Sequence, residues 1–153
     1  MTIQRMDNVL LVVDDLEAVK AFFIELGLEL EGEAVVEVFA PRFLGDAAVL
    51  WISESGNKVI QRDDTLAQAL GLKIAVDRLL PDTILVDLAP AEPLVVFIEA
   101  VATDGPITEA RRAECIQRVT AAGFQASQIG FVTAFQDRNA AAFKKAIPNL
   151  AWG

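Results

Sequence analysis

Leu80-Pro81-Asp82-Thr83-Ile84-Leu85-Val86-Asp87 and, after a short break, Leu94-Val95-Val96-Phe97-Ile98-Glu99-Ala100-Val101 decide how this chain folds. Both runs are apolar at consecutive positions, whereas a half-solvated strand alternates apolar with polar. Leu94–Ile98 therefore predicts a central strand covered on both faces. The intervening Ala89-Pro90-Ala91-Glu92-Pro93 carries two prolines, which lack the N–H that a ladder needs. The two runs read as arms of one hairpin, Thr83–Leu88 and Leu94–Val101.

A turn centred between Pro90 and Ala91 sets Ile84 opposite Phe97, Val86 opposite Val95 and Asp82 opposite Glu99. Directly opposed residues hold their Cβ atoms about 4.5–5.5 Å apart. Two carboxylates at that distance repel unless a cation lies between them or one is protonated. The acidic pair thus ends an otherwise apolar stripe, and a magnesium ion is one way to settle it. A strand start at Asp82 and a solvated strand end at Glu99 satisfy the same spacing without a metal. Asp87 faces Leu94 at the turn end, far from Glu99.

Downstream, Gly105-Pro106 breaks the chain and a helix over Ile107–Ala122 follows. Its periodicity points Ala113, Ile116 and Val119 inward and Arg111, Glu114 and Arg118 outward. Gly123 ends it, Ile129–Phe135 is a strand, and Asp137 or Asn139 caps a last helix stopped by Pro148. Upstream, Ala47–Ser53 and Lys58–Gln61 are strands around Ser55-Gly56-Asn57. Asp63 or Asp64 caps a short helix ended by Gly71, and Lys73–Val76 is a short strand. Arg5–Val13 is a strand, Asp14 and Asp15 are N-cap candidates, and Leu16 to Leu26 have helical spacing. Glu29–Glu37 reads as a junction. The expectation is α/β (α+β), with a mixed central sheet and flanking helices.

The chain has 153 residues, 54% hydrophobic, which suits a domain with its own core. Net charge is −9 and histidine is absent. That excludes a histidine base, a Ser–His triad and imidazole ligands, and leaves oxygen donors suited to hard cations. The acidity is uneven: residues 1–36 carry two basic and eight acidic side chains, residues 37–153 eleven and fourteen. One cysteine, Cys115, fits a reducing compartment. No signal-peptide pattern is present and the longest apolar runs are strand-length, so a soluble cytoplasmic protein with no membrane contact is expected.

Several motifs together resemble one family. Leu80–Asp87, Phe97-Ile98-Glu99-Ala100-Val101, Asp104-Gly105-Pro106-Ile107 and Phe131-Val132-Thr133-Ala134-Phe135 look like the catalytic domain of BsuBI/PstI-type restriction endonucleases. The likeness runs over about Val38–Gly153, with Ser55-Gly56-Asn57-Lys58 and Ala151-Trp152 also matching. It implies a PD-(D/E)XK nuclease-like αβββαβ core, and the order from Asp63 to Phe135 is compatible with it. It implies a magnesium-dependent nuclease acting on duplex DNA, with Asp82 and Glu99 as metal ligands. The Glu-x-Lys lysine of that pattern is replaced by Val101. A cation must then come from elsewhere: Lys58 first, Lys73 second, each also readable as a solvated strand-end lysine. Asp104 reads as a helix cap or further ligand. Arg111 and Arg112 are candidates for phosphate contact but fit a solvent-facing stripe.

Residues 1–36 resemble something else. Met6-Asp7-Asn8-Val9, Val13-Asp14-Asp15-Leu16, Ala21-Phe22-Phe23 and Leu26-Gly27-Leu28 look like the first strand and helix of a glyoxalase-like (vicinal oxygen chelate) domain. Such domains need more than one βα fragment, and Asn8 stands where those enzymes often have a metal-binding His. The expected organisation is a glyoxalase-like fragment, 1–36, packed on a restriction-endonuclease-like domain, 37–153, truncated at both ends, in a fusion typical of mobile DNA. Deleting residues 1–30 is then expected to give insoluble or molten protein. The expected function is a degenerate metal-dependent DNA phosphodiesterase; the alternative is a non-catalytic binding or assembly domain that keeps the fold. DNA binding is expected to be weak. The apolar end at Leu150-Ala151-Trp152 predicts a homodimer, which sedimentation would test.

Overall fold

The structure, a computed structural model, describes residues 9–12, 35–54, 58–73, 80–101, 107–135, 139 and 141–149. In chain order the elements are β1 (Val9–Val12), a π-turn (Val35–Phe39) running into α1 (Ala40–Phe43), β2 (Ala47–Glu54), β3 (Lys58–Arg62) and α2 (Asp64–Ala69). Then come β4 (Thr83–Asp87), β5 (Leu94–Val101), α3 (Glu109–Ala121), a short 3-10 turn, β6 (Ile129–Phe135), α4 (Ala141–Ala146) and a closing 3-10 turn at Ile147–Asn149. Among the described residues, no helix is long and apolar enough to cross a membrane.

Among the described residues, one six-stranded sheet runs in the order β1-β6-β5-β4-β2-β3. It is mixed: β6 lies parallel to both β5 and β1, and the other neighbours are antiparallel. The parallel β5–β6 step needs a crossover, which α3 supplies. In β4 every residue is buried, and in β5 all but Ala100. One face packs Ile84, Val86, Val95, Phe97, Ile129 and Phe131 against Cys115 and Val119 of α3. The other packs Leu85, Val96, Ile98 and Val132 against Val35, Phe39, Ala40 and Leu44. Covering both faces of the central strands removes the need for alternation, which is why their sequences are apolar throughout.

The hairpin has the expected register, with Ile84 opposite Phe97, Val86 opposite Val95 and Asp87 opposite Leu94. Asp63 is the cap of α2, its side chain accepting the Leu66 N–H at 2.8 Å. Gly71 and Gly123 end α2 and α3 with φ of 71° and 98°, which only glycine adopts without strain.

The second neighbour of β4 is β2, from before the α2 helix; of the Lys73–Val76 segment only Lys73 is described, and the rest of that expected strand lies outside the described residues. Two readings change. The inner face of α3 is rotated from the expected one: Cys115 and Val119 are buried, Ala113 is exposed, and Arg111 turns inward. Arg111, Cys115 and Val119 are four apart and form one stripe facing the sheet. Val35–Phe39, at the end of the stretch read as a junction, is helical, with Val35 and Phe39 buried on the sheet. The expected helix over Leu16–Leu26, Ser55-Gly56-Asn57, Asp104, Asp137 and Leu150-Ala151-Trp152 lie outside the described residues.

Candidate metal centre

β2 extends its pairing beyond the start of β4 and fixes the Pro81-Asp82 step. The backbone N–H of Ser53 donates to the Asp82 carbonyl at 2.8 Å, and the Trp51 indole N–H to the Pro81 carbonyl at 3.2 Å. The hairpin register carried one step past Thr83–Ile98 brings Asp82 opposite Glu99. There the Asp82 Oδ2 accepts the backbone N–H of Ala100 at 2.9 Å. Asp82 and Glu99 thus meet at the open end of the hairpin, below the first turn of α3.

Glu99 is 4% exposed. Arg111 Nη1 donates to its Oε1 at 2.7 Å, and Arg111 Nη2 donates to the Leu80 carbonyl at 3.0 Å. Oε2 of Glu99 is buried and has no hydrogen-bond partner among the described residues. Burial pushes the Glu99 carboxyl up from 4.5 to about 7; the Arg111 hydrogen bond opposes the rise, and the charge of Asp82 adds to it. A second orphan sits beside it. Thr133 of β6 pairs with Glu99, is fully buried, and its hydroxyl also lacks a partner among the described residues. Alternation places both side chains on the α3 face, in line with Phe97 and Phe131.

The donor set fits a hard divalent cation. Two opposed carboxylates, one with a buried unpartnered oxygen, form the arrangement that magnesium completes with waters or phosphate oxygens. Among the described residues, no group of three or more His, Cys, Asp or Glu side chains converges.

Of the basic residues singled out, Arg111 falls differently from expectation. Lys58 opens β3 and pairs with Glu54. Since Ser53 lies beside both Asp82 and Val59, Lys58 is at the same end of the sheet as the acidic pair but two strands from β4. Lys73 is exposed and lines a shallow recess with Arg62, Gln68 and Leu72. Val101, at the position of the pattern lysine, is buried with Phe135 and Ala146 in an apolar cluster. Arg111, read from sequence as outward, instead bonds Glu99 and the Leu80 carbonyl. Arg112 instead stacks over Phe131, 5.7 Å from its centroid, and pairs with Glu109.

Three comparisons bear on the fold and site. Residues 29–153 match the BsuBI/PstI restriction endonuclease domain family. The type II restriction enzyme BsuBI of Bacillus subtilis is 29% identical over 122 residues, 78% of this chain and 36% of that enzyme. The structure of the SdaI restriction endonuclease superposes with a TM-score of 0.64 at 28% identity, again covering 78% of this chain and 36% of the other. The chain therefore spans little more than a third of the length of these relatives.

Proposed function

Because the chain belongs to the BsuBI/PstI restriction endonuclease family, we propose that Asp82 and Glu99 hold a divalent cation for phosphodiester chemistry on DNA. The observation that carries this reading is the buried Oε2 of Glu99, without a partner among the described residues, on a carboxylate close enough to feel the charge of Asp82. Magnesium bound there would polarise the scissile phosphate and lower the pKa of a bound water. The chain's own residues set the geometry: β2 fixes the Asp82 backbone, and the helix-borne Arg111 fixes Glu99. Lys58, on the adjoining end of the sheet, remains a candidate for phosphate contact.

Turnover is expected to be very slow. With a net charge of −9, the chain repels the DNA backbone, and without phosphate contacts even non-specific affinity is poor at physiological salt. A second reading, a non-catalytic binding or assembly domain, is favoured by the same ion pair, since Arg111 neutralises Glu99 without any metal. Plasmid nicking in magnesium or manganese separates the two. The nuclease reading expects no cutting at nanomolar protein and slow nicking at micromolar protein, lost in both Asp82→Asn and Glu99→Gln. Nicking that survives both substitutions, or none at any concentration, contradicts it.

A further inference from the structure

We infer that Arg111 is the cation of this site, a positioning residue that does from helix α3 what the pattern lysine two residues beyond Glu99 does from the strand. This rests on the metal-site reading above and identifies the charge that reading lacked. Three observations carry it. Val101 sits in an apolar cluster with Phe135 and Ala146, where a lysine would have no solvent and no partner. The Arg111 guanidinium forks across both segments that bear the acids, taking Glu99 Oε1 with one nitrogen and the Leu80 carbonyl, two residues before Asp82, with the other. It does so while leaving Glu99 Oε2 without a partner among the described residues, and its own side chain stays 24% exposed, open to a ligand from solvent.

An arginine so placed acts in opposite directions on the two ligands a nuclease needs. Its positive charge repels a dication on the adjacent carboxylates and attracts the phosphate that the dication draws in. With both Nη atoms held by protein oxygens, the guanidinium acts on a phosphate through its charge and its remaining N–H bonds. An arginine serving only to neutralise a buried glutamate would change melting temperature alone, or would weaken metal and DNA binding together.

The test uses the full chain as wild type, Arg111→Gln and Arg111→Lys, at about pH 8.5 and at a temperature where circular dichroism shows each folded. Manganese chloride is titrated and free manganese is read by electron paramagnetic resonance. A short fluorescein-labelled DNA duplex is then titrated in calcium at low salt, with anisotropy as the readout. Arg111→Gln is expected to bind manganese about tenfold more tightly and the duplex about tenfold more weakly. Arg111→Lys is expected to keep wild-type manganese affinity and to lose only several-fold for the duplex. Manganese affinity unchanged or weakened in folded Arg111→Gln overturns the inference while leaving the Asp82/Glu99 site standing. If Arg111→Gln does not fold, Arg111→Lys decides, and an unchanged duplex affinity overturns the inference. A wild type that binds no manganese overturns both this inference and the reading on which it rests.

Discussion

The two ends of one hairpin bury a carboxylate each, and they treat it in opposite ways. At the turn end, Asp87 is 4% exposed and accepts three backbone N–H groups, from Gly45 at 3.0 Å, Asp46 at 2.9 Å and Ala89 at 3.1 Å. Burial alone would raise its pKa; the three amides outweigh burial and hold it below 3.8. At the open end, Glu99 is equally buried but is opposed by one arginine and one backbone amide, from Asp82, has one oxygen without a partner among the described residues and a second carboxylate beside it, and its pKa rises to about 7. A buried carboxylate saturated by its own backbone is a structural tie. One left half-satisfied beside another acid has capacity for a ligand that the fold does not provide.

The sharpest way to break this contrast is Asp87→Ala, which takes the carboxylate from the backbone amides of the exposed Gly45, Asp46 and Ala89 and is expected to cost roughly 2–3 kcal/mol in chemical denaturation. A loss below about 1 kcal/mol would mean that water replaces the carboxylate and that the tie is dispensable. Gly45→Ala tests the same end by packing: an added Cβ would meet the Ala89 Cβ at 2.6 Å. That clash is expected to destabilise by about 1–3 kcal/mol.

At the other end the sign reverses. The folded pKa of Glu99 is raised, so its contribution to stability is fully present below about pH 4.5 and is lost as pH rises to about 7. Asp87 has a lowered folded pKa, so its contribution is present above pH 3.8 and disappears as pH falls below that. Glu99→Gln is therefore expected to match wild type near pH 4.5 and to exceed it by about 1–2 kcal/mol at pH 8, read from thermal melts with no added metal. Equal stability at both pH values would show that Arg111 fully offsets the burial of Glu99. The smallest effect is expected from Thr133→Val, which replaces a buried unpartnered hydroxyl by a methyl and should stabilise by up to about 1 kcal/mol. Destabilisation would reveal that the hydroxyl has a partner.

Much of this hairpin was legible in the sequence. Continuous apolar runs flanking a proline-rich break give two covered strands, and a turn at Pro90–Ala91 leaves few registers, so the opposition of Asp82 and Glu99 follows. The Asp87 tie was not legible, because two of its three donors, Gly45 and Asp46, depend on where the α1–β2 loop arrives from about forty residues upstream. Arg111 was misread because periodicity in α3 fits two faces. Counting Ala113 and Ile116 as apolar selects one, and counting Cys115 selects the other, which puts Arg111 over the sheet. The Thr133 orphan needs the parallel β5–β6 register, which depends on the length and path of the α3 crossover rather than on either strand alone.

The account turns on whether the open end of the hairpin binds a divalent cation, and calorimetric titration of the purified chain with manganese chloride at about pH 8 tests that directly. A weak, saturable one-site isotherm in wild type, lost in Asp82→Asn and in Glu99→Gln and retained in Gly45→Ala, is the predicted result. Binding that is absent from wild type, or undiminished when Asp82 and Glu99 are neutralised, would contradict it.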